Sequence, residues 1–455
     1  MATTSGISGG SIDVSSLVSQ LMSIERRPLD ALQKRESDIQ AKLSAYGRIQ
    51  SAFDALRSAA SRLSSITQFR QTAASATGDA VKVSSDTAGV PGRYAVSVSQ
   101  LARVQSSAAQ GIDPATVFAA GTLQITHNGN TATFSVGGAG EPTTLAGLRD
   151  AINASNTVGV RASIVTDGGQ ARLVLNSRET GAANGFTVAT GGDLAQLTFS
   201  ELQPAQDAIF SVNSLALNSS SNDVTGVIEG VTLSLAKAPP AGSAPGTTVD
   251  AEVVVERDVE RIRTGAQDFV KAYNEAQRLI SDLSKYDPAT KTAAVLNSEG
   301  LLRSLQAGLR AIVGSAMAPA SGTDYTRLSD VGIEAQSDGT LALNASKFDA
   351  AVKADAGKVE RLFTHATGTG NQLGFAQRIL EQVRTVADPS GALDLRQTAL
   401  RDAIKRLDQQ QEQMQVRLDL IRARLVRQYS ALDALVSSRQ QQSDALTNAL
   451  ARLPK

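Results

Sequence analysis

From Ala392 to Leu453 the chain contains neither glycine nor proline, although Pro389 and Gly391 stand just before it and Pro454 just after. Apolar residues recur in this stretch mostly at steps of four and three: Leu400, Ile404, Leu407, Met414, Leu418, Ile421, Leu425, Leu432, Leu435 and Leu446. Gln411, Gln428, Arg439 and Gln442 occupy positions where the heptad calls for apolar residues. A seam this long predicts a coiled-coil helix, roughly 90 Å from end to end at the usual rise per residue. One helix cannot bury its own seam. Another stretch of the chain, or another copy of it, has to cover it.

The N-terminal residues offer a partner. Asp13 is placed to cap a helix that carries Leu17, Leu21 and Ile24 on one face. Pro28 is expected to end or kink that helix and to push Arg27 out of the α region. A second helical run follows with Leu32, Ile39, Leu43, Tyr46, Ile49, Phe53, Leu56 and Leu63. Leu17, Leu21 and Ile24, with Leu418, Ile421, Leu425, Leu432, Leu435 and Leu446, are the candidate contacts between these ends or with a partner.

Between the ends the period changes to two. Val81 and Val83, then Tyr94, Val96 and Val98, alternate with polar residues. Leu123 and Ile125 lead through Asn128-Gly129 to Thr131, Thr133 and Ser135, and a short helix carries Leu145, Leu148 and Ile152. Val160, Ala162 and Ile164 lead through Asp167-Gly168-Gly169 to Ala171, Leu173 and Leu175, which completes a ββαββ module. Strand patterns resume at Ala208, Phe210 and Val212, at Val231, Leu233 and Leu235, and at Val253 to Val255. Helical spacing returns at Asp258 and continues to the closing coil, with a short hairpin around Asp338-Gly339.

The expected fold is a multidomain α+β chain with nested, discontinuous domains. Residues 1–40 and 405–455 form a terminal coiled-coil leg, and residues 41–78 with 256–404 a helix-rich domain with a hairpin. Residues 79–112 with 204–255 form a β-rich head domain, and residues 113–203 a second, projecting one.

Composition narrows the function. The 455 residues balance 44 Lys and Arg against 44 Asp and Glu, which removes the basic footprint that nucleic-acid binding requires. No apolar run is long enough to span a membrane, and the Thr, Ser and Gly of the first ten positions do not read as a cleavable secretory signal. Cysteine is absent, which excludes disulfides, thiolate chemistry and cysteine-bound zinc. His127 and His365, the only 2 histidines, read as exposed loop residues. Gly6-Ile7-Ser8-Gly9-Gly10 matches a nucleophile-elbow pattern but has no strand before it. The glycines at 137–140 lack dinucleotide-loop spacing. The expectation is no enzyme, no cofactor and no metal.

Several blocks, in order, resemble one family. Ile12-Asp13-Val14-Ser15-Ser16-Leu17-Val18-Ser19-Gln20-Leu21-Met22, then Ile24-Glu25-Arg26-Arg27-Pro28-Leu29, is similar to the N-terminal signature of the flagellar filament cap, the hook-associated protein 2 family. Ala205-Gln206-Asp207-Ala208 with Phe210-Ser211-Val212-Asn213, Val227 to Leu233, Phe269 to Asn274, and Tyr429 to Leu435 resemble it as well. Leu123 to Val188 looks like the repeat shared by flagellins and hook-associated proteins. The family usually has glycine where Ser214 stands, so the resemblance predicts a hairpin there without a positive-φ turn.

The resemblance implies a homo-oligomeric ring at the growing tip of a bacterial flagellum that guides exported flagellin into place. It implies partners in flagellin, in hook–filament junction proteins and in a dedicated type III secretion chaperone at the C-terminal end. It implies secretion to the filament tip. The competing reading is an extracellular adhesin or coiled-coil scaffold that binds through the β-rich head.

Overall fold

A computed structural model describes residues 13–319, 322 and 324–450, so the glycine-flanked Ser8 lies outside the described residues. Among them nine α-helices run in chain order: α1 (Val14–Glu25), α2 (Arg27–Leu63), α3 (Ile66–Arg70), α4 (Leu145–Ala154), α5 (Val259–Ser284), α6 (Gly300–Gly314), α7 (Ala345–Thr364), α8 (Phe375–Ala387) and α9 (Ala392–Leu450). The chain divides into two compact units, one of residues 66–262 and one that joins the segments before and after it.

The middle unit is built of antiparallel strands: β1 (Thr72–Thr77), β2 (Val81–Ser85), β3 (Gly92–Gln100), β4 (Ser106–Ala109), β5 (Gly121–His127), β6 (Asn130–Val136), β7 (Val160–Asp167), β8 (Gln170–Ser177), β9 (Phe186–Gly192), β10 (Phe199–Gln203), β11 (Ala208–Val212), β12 (Leu215–Ser219), β13 (Asp223–Ile228), β14 (Val231–Leu235) and β15 (Val249–Arg257). Two sheets, ordered β1-β15-β3-β11-β12 and β13-β14-β2, enclose a core around Val96, Val98, Phe210, Leu233 and Val253. These residues alternate with half-buried or exposed ones because successive strand side chains face opposite ways. Two further sheets, β10-β4-β8-β7 and β6-β5-β9, share a second core of Leu123, Ile125, Leu148, Ile152, Leu173 and Leu175 with α4.

The ββαββ module is present as β5, β6, α4, β7 and β8. Its turns use positive φ at Asn128 (50°) and Gly129 (76°), and at Gly168 (55°) and Gly169 (82°). Thr144 caps α4, its side-chain oxygen accepting from Gly147 N. The Asn153 side chain donates to Ala162 O and accepts from Ala162 N, both at 2.8 Å, which fastens the end of α4 to β7. The two hairpins of the module lie in different sheets, each completed by strands the spacing did not reveal. β4 reads Ser-Ser-Ala-Ala and has no apolar alternation to show it.

Three expectations change. The Asn213-Ser214 hairpin does use a positive-φ turn, at 47° and 68°, without a glycine. Asn213 tolerates that conformation, and its side-chain oxygen also accepts from Ala95 N at 2.9 Å. Arg27 is already helical and Pro28 sits in the first turn of α2, where a missing N–H costs nothing; the break is the single residue Arg26. The β-rich unit begins at residue 66 and takes in β1, which pairs with β15, so a boundary after residue 78 is too late.

In the helical unit α2 packs on α8 and α9, and α8 also contacts α6 and α7. Tyr46, Phe53, Phe269, Tyr273, Phe348, Phe363 and Phe375 are its largest fully buried side chains. Two short hairpins complete it, β16 (Tyr286–Asp287) with β17 (Thr292–Ala293) and β18 (Ile333–Ala335) with β19 (Leu341–Leu343). Asn274 on α5 brackets Leu341, donating to its carbonyl at 2.8 Å and accepting from its N–H at 2.7 Å.

Candidate partner-binding site

The long closing helix is covered along part of its length. α9 lies against α2 and, further along, against α1. Val18, Met22 and Leu29 are buried with Leu418, and Val14, Met414, Ile421, Leu425 and Tyr429 pack around them. Each such side chain contributes about 1.5–3 kcal/mol when fully buried, less when half-buried.

The inner face of α1 is not the one that steps of four and three suggested. Val18 and Met22 face α9, Leu17 and Leu21 are half-buried, and Ile24 is 56% exposed. Val14, Val18 and Met22, at steps of four, form the ridge that docks. Leu17, Leu21 and Ile24 therefore form a flanking ridge outside the docked cluster, exposed at Ile24. Asp13 caps the helix, accepting from Ser16 N at 3.0 Å and Ser15 Oγ at 2.9 Å. The Ser16 N–H, with the Ser15 hydroxyl, holds its carboxyl below the usual range.

Beyond Tyr429 the seam is open. Leu432, Leu435 and Leu446 are 43%, 58% and 66% exposed. The polar interruptions also differ along the helix. Gln411 Nε2 donates to Glu36 Oε2 of α2 at 2.6 Å, a pairing inside the seam that penalises slippage. Gln428, Arg439 and Gln442 are exposed.

Where α9 enters the body of the unit, a polar node ties three segments together. Arg396 grips Glu299 with two nitrogens, at 2.8 and 3.1 Å. Tyr46 Oη donates to the same carboxylate at 3.0 Å, and Lys42 Nζ lies 3.5 Å away. Burial by itself pushes the Glu299 carboxyl up, but Arg396, Tyr46 and Lys42 together outweigh it and hold the carboxyl below its usual range. Burial and the adjacent carboxylate push the Tyr46 hydroxyl up to about 12. Because the folded state depresses the Glu299 carboxyl, its contribution is fully present above the unfolded-state range near pH 4 and is lost as pH falls through the lower folded value. Glu299→Gln is expected to destabilise the protein by about 1–2 kcal/mol at pH 7, well under a fully buried pair because Arg396 is partly exposed. Urea unfolding at pH 7 and at pH 3 checks this, with the difference between the two proteins shrinking at the lower pH.

The histidines are half-buried rather than exposed, His127 at the end of β5 and His365 at the C-cap of α7. Among the described residues no group of three His, Asp or Glu side chains comes together as a metal site, and no helix is long and apolar enough to cross a membrane.

Residues 10–105 match the description "Flagellar hook-associated protein 2 N-terminus", and residues 205–441, just over half the chain, match "Flagellar hook-associated protein 2 C-terminus". The chain belongs to the flagellar hook-associated protein 2 family. Residues 122–179 match "Flagellin hook IN motif", which corresponds to the ββαββ module. The A-type flagellar hook-associated protein 2 of Pseudomonas aeruginosa is 30% identical over 100% of this chain and 99% of its own length. Flagellar hook-associated protein 2 of Escherichia coli K12 is 29% identical, with 98% of each chain covered. The crystal structure of the flagellar cap protein FliD D1-D2-D3 domains from Escherichia coli superposes with a TM-score of 0.61 at 27% identity, covering 78% of this chain and 99% of that one. The chain thus has the multidomain α+β fold of a flagellar hook-associated protein.

Proposed function

We propose that this protein is the filament cap of a bacterial flagellum, a homo-oligomeric ring at the distal tip that promotes insertion and polymerisation of exported flagellin without chemistry of its own. The observation that carries this reading is the half-covered seam of α9. α1 and α2 cover it as far as Tyr429, and Leu432, Leu435 and Leu446 then stand exposed, as a leg that completes its packing on the structure beneath it would. In this reading Leu17, Leu21, Ile24, Ile421 and Leu425 belong to the same leg, and the β-rich unit forms the head.

The partners that follow are further copies of the chain, flagellin, the hook–filament junction proteins and a secretion chaperone that holds the C-terminal helix before assembly. The site of action is extracellular, at the filament tip. The test is a strain without the gene. The expected culture medium contains flagellin monomers and few filaments, and supplying the full chain restores filaments. Filaments of ordinary number and length without the gene would overturn the reading, and so would lost surface adhesion with motility intact.

A further inference from the structure

α2 and α9 leave a groove along one side of their pairing, formed by two adjoining cavities of about 550 and 480 Å³ that share Arg35 and Gln410. Its floor is apolar, with half-buried Leu32 and Ile39 from α2 and Leu407 and Met414 from α9. Its rim is basic. Arg35, Arg406 and Arg417 are exposed, and among the described residues none has an ion-pair partner. Asp38 is the one acid of the lining, and Lys34 holds it at 3.8 Å. Guanidinium groups left unpaired beside an apolar floor favour an amphipathic helix with carboxylates flanking its apolar ridge.

The chain carries such a helix. Beside its docked face α1 carries half-buried Leu17 and Leu21 and exposed Ile24, with Asp13 at one end and Glu25 at the other, and it contains no basic residue between Val14 and Glu25. Its 12 residues span about 18 Å, close to the roughly 16 Å that separates Arg406 from Arg417 along α9. The α1 of the same chain cannot fill the groove, because Val18 and Met22 hold it on Leu418.

We propose that the Leu17–Leu21–Ile24 ridge of α1 from one copy seats in the α2–α9 groove of the next, with Asp13 and Glu25 meeting the arginine rim. The contact joins different surfaces on the two copies, so repetition generates a closed ring or an open spiral rather than a two-fold dimer. The inference rests on the proposed multi-copy role and names the surface that role would use.

The absence of cysteine makes the test clean. Full-length Leu21→Cys, at the middle of the ridge, is mixed with full-length Gln410→Cys, at the middle of the groove, and oxidised. The expected product is a cross-linked heterodimer in excess of either homodimer. Adding Arg406→Glu and Arg417→Glu to the Gln410→Cys chain should cut its yield about tenfold, and Glu25→Arg on the Leu21→Cys chain should recover part of it. Circular dichroism confirms that each variant is folded. Homodimers alone, or a yield indifferent to the charge reversals, would overturn the proposal. That outcome leaves the capping role standing if the gene is still needed for filaments, so the two failures are distinguishable.

Discussion

A chain ending at Leu425 is expected to fold with nearly the stability of the full protein and to fail completely in filament growth. The lost segment contains Leu432, Leu435 and Leu446, all exposed, and only Tyr429 packs on the α1 cluster. Its removal should therefore cost about 1 kcal/mol or less in urea unfolding of the isolated protein. Past Tyr429 the seam residues Leu432, Leu435 and Leu446 stand exposed and local propensity carries the helix, so its amides should exchange quickly in the free protein. Function is expected to behave oppositely, because those leucines are the part of the seam left for a partner. The check is paired: the unfolding midpoint of the shortened chain, and the division of exported flagellin between filament and monomer in cells that carry it. A large loss of stability, or normal filaments, would contradict the account.

Leu418→Asp should have the largest effect on the free protein. Leu418 is 2% exposed at the centre of the Val18–Met22–Leu29 cluster, so a carboxylate there would be buried among apolar side chains. Rather than bury it, α1 is expected to detach, at a cost of about 3 kcal/mol in local stability. Hydrogen exchange should show α1 amides losing protection while the amides around Tyr46 and Phe53 of α2 keep theirs. Ile24→Asp serves as the control, since Ile24 faces outward and its replacement should leave α1 docked. Equal loss of α1 protection in both variants would mean that the docking face is wrongly assigned.

Much of the architecture was legible because it is written in periodicity. The seam of α9, its N-terminal partner and the ββαββ module all follow from apolar spacing and from Asn128-Gly129 and Gly168-Gly169. What spacing could not reveal was local. β1 and β4 are Ala, Ser and Thr strands, so nothing alternates, and their place is set by neighbours far along the chain. The Asn213-Ser214 turn keeps its positive φ because an asparagine with a good hydrogen-bond partner replaces what a glycine would supply. On α1 the sequence held two apolar ridges, and only tertiary packing decides that Val18 and Met22 turn inward while Leu17, Leu21 and Ile24 do not. The Glu299–Arg396–Tyr46 node joins Glu299 to positions 97 and 253 residues away and has no sequence signature at all.

The central claim is that this protein works at the distal end of a flagellar filament. Electron microscopy of isolated filaments, with gold-labelled antibody raised against the β-rich unit, tests it most directly. The account predicts label at one end of each filament, the end away from the hook, and none along the shaft. Label spread along the shaft, at the hook end, or on the cell surface would contradict it.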